Sequence, residues 1–348
     1  MASSSTVRTR ILILSDTHGM KFRKDWPQLR GEFDLAIHCG DLTEESKLSE
    51  FSDTLDLLRD ITAPLKLVIA GNHDLTLDPP AFRTVLEPGM DLNDPAVLKE
   101  YGAIGEARQL LASDPDLRLL DEGTHALTLP NGATFSLYAS PWTPRYGGSN
   151  GSYSEAGGFA FQYDRRRGGP GAELGHVFDI PPGTDIVVTH GPPEGVLDRV
   201  DGRRAGCPDL FAAVARARPR LHCFGHIHVG WGAKLVTWRG DGALDTCMPS
   251  HFTAVDNGRS AVIRDLKLLK EWRADSVTSD RMDETDKKGE SDRLTDLLRS
   301  GCDVTPEDGI RLGEQTIFVN AVVEGDEDLP IQPPIVVELD LPQRVQEV

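Results

Sequence analysis

Asp16, His18, Asp41, Asn72, His190, His226 and His228 are the residues of this chain whose types and grouping could do chemistry. They fall in five short polar clusters: Asp16-Thr17-His18, Gly40-Asp41, Gly71-Asn72-His73-Asp74, Thr189-His190 and Gly225-His226-Ile227-His228. Carboxylate, imidazole and amide oxygen donors are all present, and no thiolate is. Such a mixed nitrogen and oxygen set suits divalent Mn, Fe or Zn, with Co and Ni as alternatives and Mg less favoured because several imidazoles take part. Seven protein ligands cannot fill two octahedral shells, so open positions are expected for water and substrate, which is the catalytic rather than the structural pattern. Asp16 and His18 lie two residues apart, as do His226 and His228, and a locally extended chain would project each pair to one side.

Charge narrows the substrate. Two divalent ions set against the carboxylates of Asp16 and Asp41 leave a twofold positive surplus, which matches a hydroxide together with a singly charged phosphodiester, or a phosphomonoester with some proton sharing. In two-metal sites the ions sit roughly 3.5 to 4 Å apart and clamp the attacking and leaving oxygens of an in-line displacement. That closeness needs a shared ligand. Asp41 is the expected bridge, because a carboxylate can give one oxygen to each ion.

The elements that must position these residues are visible just before them. The runs are Ile11-Leu12-Ile13-Leu14, Leu35-Ala36-Ile37, Leu65-Lys66-Leu67-Val68-Ile69, Asp185-Ile186-Val187-Val188 and Leu221-His222-Cys223-Phe224. Apolar, β-rich stretches of this length bounded by turn residues read as buried strands. In an α/β sheet, functional groups collect beyond the carboxyl ends of strands, so clusters distant in sequence can converge in one crevice. Gly40, Gly71 and Gly225 each stand immediately before a ligand and are expected to let backbone approach the site closely. His38 and His222 lie inside strand runs and read as core or supporting groups, whereas His125, His176 and His251 read as ordinary loop histidines.

In this order the blocks resemble the calcineurin-like metallophosphoesterase superfamily, whose pattern is DxH, GD, GNH[DE], a lone His and GHxH. Connecting stretches further resemble the subgroup that contains the MPPED proteins and the class III cyclic-nucleotide phosphodiesterases: Ala139-Ser140-Pro141-Trp142-Thr143-Pro144, Gly158-Phe159-Ala160-Phe161-Gln162, Thr189-His190-Gly191-Pro192-Pro193, and Gly206-Cys207-Pro208 leading to Arg218-Pro219-Arg220-Leu221-His222. The resemblance covers residues 8 to about 236 and again about 315 to 341. It implies an α/β fold, a four-layer α/β/β/α sandwich of two mixed sheets flanked by helices. It also implies Asp16, His18, Asp41 and His228 on one ion and Asp41, Asn72, His190 and His226 on the other. Asn72 and His73 would meet the substrate, His73 facing the scissile phosphate to protonate the leaving oxygen or stabilise transition-state charge. Asp74 is expected to orient the His73 imidazole.

One departure bears on substrate. Serine/threonine protein phosphatases of the superfamily resemble one another in carrying an arginine soon after GD and another just before GNHE. Here Asp41 is followed by Leu42-Thr43-Glu44-Glu45-Ser46, and Gly71 is preceded by Ile69-Ala70. A monoester dianion therefore finds less positive charge, which favours diesters. Arg145 is the expected replacement cation, with pairing to a surface acid as its alternative, and a strand at Thr134-Phe135-Ser136-Leu137-Tyr138 should deliver Ser140 and Trp142 toward the site. The expected activity is hydrolysis of a small phosphodiester, cyclic nucleotides included, by in-line attack of a metal-bridging hydroxide. A phosphomonoesterase for a small metabolite is the alternative, and a non-catalytic scaffold of the same fold a third reading.

The 348-residue chain carries a net charge of -18, which argues against a nucleic-acid polymer or an anionic membrane as partner. Five cysteines without tight spacing point to a reduced, cytoplasmic setting. The first ten residues lack the apolar core of a secretory signal, and no run approaches transmembrane length. A single domain is expected over 1–348, with an aromatic-bearing flap at 143–172 and a hydrophilic, partly disordered insertion at about 237–314. A helix is expected over 208–217, with Pro208 in its first turn.

Overall fold

The structure, a computed structural model, describes residues 5–20, 31–86, 89–145, 158–165, 175–240, 248–270, 296–327 and 329–344. Two mixed sheets form its centre. In the first, Thr6–Leu14, Leu35–His38, Lys66–Val68 and Leu117–Leu119 run parallel in that order, Ile335–Pro342 lies antiparallel against the open side of Thr6–Leu14, and Cys302–Asp303 adds to that edge. The second has seven strands. Gln315–Asn320, Leu221–Phe224, Ile186–Thr189 and Thr134–Ser140 are its parallel core, with Gly232–Thr237 and then Ala261–Asp265 antiparallel at one edge and Gly123–Thr128 at the other.

Why the sheets stack follows from the two-residue period of a strand. Along Thr6–Leu14, Ile11 and Ile13 turn into a cluster shared with Leu137, Ile186, Val188, Leu221 and Ile317 of the other sheet. Leu12 and Leu14 turn the opposite way, against Phe51, Leu55 and Leu58 of the helix Leu48–Arg59 and Leu111 of the helix Glu106–Ala112. The second sheet repeats the logic: Val187, Phe224 and Phe318 pack outward on Leu210, Phe211 and Val214 of the helix Pro208–Ala217. Both faces of each sheet are therefore covered, giving the expected α/β/β/α layering. Pro208 sits in the first turn of its helix and Cys207 caps it, its Sγ accepting the Leu210 N–H.

Parts of the stretch expected as an insertion do structural work. Ala261–Asp265 extends the second sheet and Cys302–Asp303 the first, while residues 241–247 and 271–295 lie outside the described residues. Of the flap, 146–157 and 166–172 lie outside them too. Its described part is tied down: Gln162–Tyr163 pairs with Thr143–Pro144, the Ala160 N–H donates to the Asn72 carbonyl at 2.8 Å, and the Phe161 N–H donates to Asp78 Oδ2 at 2.9 Å. Among the described residues no helix is long and apolar enough to cross a membrane. Cys39, Cys207, Cys223 and Cys302 are free thiols.

Candidate metal centre

Every sequence cluster leaves the carboxyl end of a parallel strand. Asp16 follows Thr6–Leu14, Asp41 follows Leu35–His38, Asn72 follows Lys66–Val68, His190 follows Ile186–Thr189 and His226 follows Leu221–Phe224. A parallel bridge between Ser15 and Val322 ties the strand ends of the two sheets together at this point. The crevice thus belongs to both sheets.

The backbone there is forced into unusual conformations. Asp16, His18, Asp41 and His226 all have positive φ, at 54°, 46°, 53° and 67°. Non-glycine residues take this region at a cost, and such outliers gather at functional sites. This corrects the expectation of locally extended pairs: Asp16 and His18 share a cluster through left-handed turns, while His226 and His228 diverge into different clusters. Glycines admit the close packing. A side chain on Gly225 would place Cβ 2.0 Å from Asp16 Oδ2, and one on Gly71 would place it 2.2 Å from Asp41 Oδ1.

Donor atoms assemble in two groups joined at Asp41. Within each of three sets, Asp16–His18–His228, Asp41–His190–His226 and His18–Asp41–His73, the ligand atoms lie within 4.8 Å of one another. His190 Nε2 stands 3.2 Å from Asp41 Oδ2 and 2.9 Å from Asn72 Oδ1, and its Nδ1 lies 2.9 Å from the Cys39 carbonyl, which orients the ring. His228 Nε2 is 3.4 Å from Asp16 Oδ1. Asp41 Oδ2 lies 3.9 Å from His18 Nε2 and 3.2 Å from His190 Nε2, and so stands between the two groups.

Electrostatics show what this arrangement wants. Burial would raise the Asp16 carboxyl, but His228, His190 and His18 outweigh it and hold the group well below its ordinary range. Asp41 follows the same balance and falls to about 2, with His190 the chief opponent of burial. Burial likewise would lower His18, yet Glu44, Asp41, Asp16 and Glu324 raise it to about 10; Asp41 and Asp16 take buried His190 to about 9. His226 stays neutral, lowered to about 3 by burial and by His190. Ionised carboxylates are drawing protons onto imidazoles. A divalent ion would displace those protons and serve the same carboxylates. Both ring nitrogens of buried His18 lack an aligned hydrogen bond among the described residues although carboxylate oxygens face them, Glu44 at Nδ1 and Asp41 and Glu324 at Nε2. The residues therefore fit two divalent cations.

His73 lies beside this set. Its N–H donates to Asp41 Oδ1 at 2.8 Å, and its ring packs edge-on to His18 with centroids 4.7 Å apart. The expectation that Asp74 orients this ring is corrected. Asp74 is fully buried and accepts from the Gly71, Leu42 and Thr43 N–H groups and the Thr43 hydroxyl, so it fastens the loops carrying Asp41 and Asn72. Burial and the Asp41 carboxylate push its pKa up to about 6. Orientation of His73 falls to the Glu44 carbonyl, 2.8 Å from Nδ1.

Arg145 and Trp142 also land differently. Arg145 Nε is 3.8 Å from Asp164 Oδ1, with side chains 62% and 89% exposed, which is the surface-pair alternative. Trp142 stacks on His176 and meets Phe161 edge-on. His176 is no ordinary loop residue: it stacks on both Trp142 and Tyr163, and its Nε2 lies 2.7 Å from Glu122 Oε1. His251 is buried at the start of a short helix, 3.4 Å from Lys234 Nζ. His38 and His222 are buried supports, each bonded at 2.9 Å to the hydroxyl of a site threonine, Thr17 and Thr189. His125 Nε2 lies 2.9 Å from the Asp121 carbonyl, a local loop contact. Sequence reasoning missed Glu44 and Glu324, whose carboxylates approach His18; Phe159, within the aromatic-bearing flap expected at 143–172, has its ring centroid 5.1 Å from that of His73. A strand followed within four residues by an acid was a signal for Glu324; Glu44 carried none.

Comparisons with known proteins agree with this geometry. A family model described as calcineurin-like phosphoesterase matches residues 9–230. Metallophosphoesterase domain-containing protein 1 of Homo sapiens is 34% identical over 227 residues, covering 64% of this chain and 62% of that protein. A UPF0046 protein of Caenorhabditis elegans is 28% identical over 230 residues, covering 65% and 66%. A protein of Emericella nidulans named Probable rhamnogalacturonate lyase C is 31% identical over 249 residues, covering 71% of this chain but 19% of that protein. The chain thus spans less than two thirds of the length of the Emericella and human relatives.

Proposed function

The chain belongs to the calcineurin-like phosphoesterase family, and we propose that it hydrolyses small phosphodiesters, cyclic nucleotides foremost, with two divalent metal ions. The observation that carries this reading is the pair of donor clusters joined at Asp41 with His73 bonded to the same carboxylate. Divalent ions held there would neutralise phosphoryl charge and supply a nucleophile by lowering the pKa of bound water. Manganese, iron and zinc suit the donors.

The protein's own groups set the rest. His73 Nε2, with the ring pinned through Nδ1 to the Glu44 carbonyl, is the group to meet the departing ester oxygen. Preference for a diester is supported by the acids that occupy the rim. Glu44 Oε2 lies 2.8 Å from His18 Nδ1 and Glu324 Oε2 lies 3.2 Å from His18 Nε2, so a dianionic monoester approaching this rim meets added negative charge. Phe159 is 42% exposed beside His73 while its neighbours are clamped by backbone hydrogen bonds, which offers a planar face to a nucleobase. The scaffold reading is weakened because all seven ligand positions and His73 converge.

The test is kcat/KM of the Mn-loaded protein across cyclic nucleotides, bis-p-nitrophenyl phosphate and p-nitrophenyl phosphate. Diesters should be preferred, and Phe159→Ala should raise KM for cyclic nucleotides. A strong monoester preference would overturn the assignment.

A further inference from the structure

We propose that Arg199, Arg204, Lys234 and His251 form a binding site for a phosphate group, separate from the metal crevice and independent of the two-ion reading. The site lies on the outer face of the second sheet. Along Gly232–Thr237, Ala233 turns into the core between the sheets and Val236 turns outward onto Leu210 and Phe211, so Lys234 shares the outward side. There its Nζ stands 3.4 Å from His251 Nε2.

Arg204 closes in from a short hairpin in which Arg199–Val200 pairs with Arg203–Arg204. A Cβ built on Gly195 would lie 2.8 Å from Arg204 Nη1 and 3.0 Å from His251 Cβ, so the guanidinium and His251 flank one point. The guanidinium carbon is also 4.9 Å from the centre of the ring of Phe252, the next residue after His251.

This charge is poorly balanced. Arg199 and Arg204 are direct cross-strand partners, so two like charges share one face of the hairpin, an arrangement that costs stability. The neighbouring acid, Asp198, is engaged elsewhere, its Oδ2 accepting the Gly195 and Gly206 N–H groups at 2.9 and 3.1 Å. Among the described residues none of the four bases forms an ion pair with a carboxylate. His251 is 8% exposed, and its Nδ1 has no hydrogen-bond partner among those residues. Burial and Arg204 hold the Lys234 ammonium below its ordinary range against the pull of Asp198, and burial, Lys234 and Arg204 lower His251 to about 4. An anion that all can reach relieves that repulsion. A tetrahedral phosphate presents oxygens on every side, so a guanidinium fork, an ammonium and an imidazolium can each take one; a planar carboxylate cannot match that.

Calorimetric titration of the metal-free full chain with inorganic phosphate tests this. Arg204→Gln and Lys234→Gln should each weaken binding at least about tenfold, with an unchanged circular dichroism spectrum. Arg203→Gln removes the same charge from the opposite side of the hairpin and should stay within about twofold of wild type. A second readout leaves the cations in place: in wild type, phosphate should raise the titration midpoint of the His251 ring resonance, identified by its loss in His251→Gln, by at least about one pH unit. No phosphate binding by wild type, or binding retained in either variant as phosphate held in the metal crevice would give, would overturn the assignment. Equal loss in Arg203→Gln, or an unmoved His251 midpoint, would do the same.

Discussion

At the residue scale, the site is a set of donors whose identities are set by type and whose roles are set by direction. The seven metal-ligand candidates were legible in the sequence because aspartate, asparagine and histidine at strand ends have few other uses in such numbers. Asp74 was misread because adjacency to His73 says nothing about where its carboxylate turns; four donors from residues 42, 43 and 71 claim it. Glu44 was invisible because its loop acquires meaning only once the chain has folded against His18 and His73. His73 itself makes its metal-side contact through the main chain, whose N–H bonds Asp41. His73→Ala keeps that N–H. It should therefore retain both ions while lowering turnover by roughly two to four orders of magnitude, the usual worth of general acid catalysis. Metal analysis beside single-turnover kinetics checks this, and loss of metal in the variant would show that the imidazole is itself a ligand.

At the scale of elements, the hydrophobic runs predicted the strands, and the glycines predicted close approach. What the runs could not disclose is the pairing order, since Gln315–Asn320 joins Leu221–Phe224 across ninety-odd intervening residues through long-range burial. Nor could spacing reveal that His226 and His228 part company, because positive φ at His226 is a product of packing at the crevice. Gly225 shows the constraint most sharply. Alanine there would bring Cβ to 2.0 Å from Asp16 Oδ2 and 2.1 Å from Ser15 Oγ, so Asp16 must shift. Gly225→Ala should weaken metal binding by at least about tenfold, because a ligand displaced by several tenths of an ångström no longer satisfies the coordination distance. Gly240→Ala is the control, since its Cβ meets nothing within 4 Å. Calorimetry on both variants reads the difference, and metal affinity unchanged in Gly225→Ala would mean that the Asp16 loop is free to move.

At the scale of the whole molecule, the sandwich buries two neutral histidines beneath the catalytic loops, and acid should find them. Burial alone lowers His222 from 6.5 to about 3. Its Nε2 bonds the Thr189 hydroxyl, whereas Nδ1 has no hydrogen-bond partner among the described residues, so protonation would leave a buried charge unsupported. Between about pH 6.5 and 3 the unfolded chain binds this proton and the folded chain does not. Stability is therefore present above the unfolded value and is lost as pH falls through that window, by an amount on the order of a few kcal/mol. His222→Leu should cost about 1 kcal/mol at pH 7 through the lost hydrogen bond, yet flatten the decline between pH 6.5 and 4.5 in denaturation of the metal-free protein. An equal slope in both proteins would place the acid sensitivity elsewhere. The layering that creates this burial was readable from the resemblance, but the contribution of 261–265 and 302–303 to sheet edges was not, because their flanking composition is hydrophilic.

The central claim is that the two donor clusters joined at Asp41 act as one two-ion phosphoesterase site. It is tested most directly by titrating the metal-free chain with Mn(II) while following bis-p-nitrophenyl phosphate hydrolysis against bound metal. Hydrolysis should be absent without metal and reach its plateau as the second ion per chain binds. A plateau reached at one ion, or hydrolysis that persists without any, would contradict it.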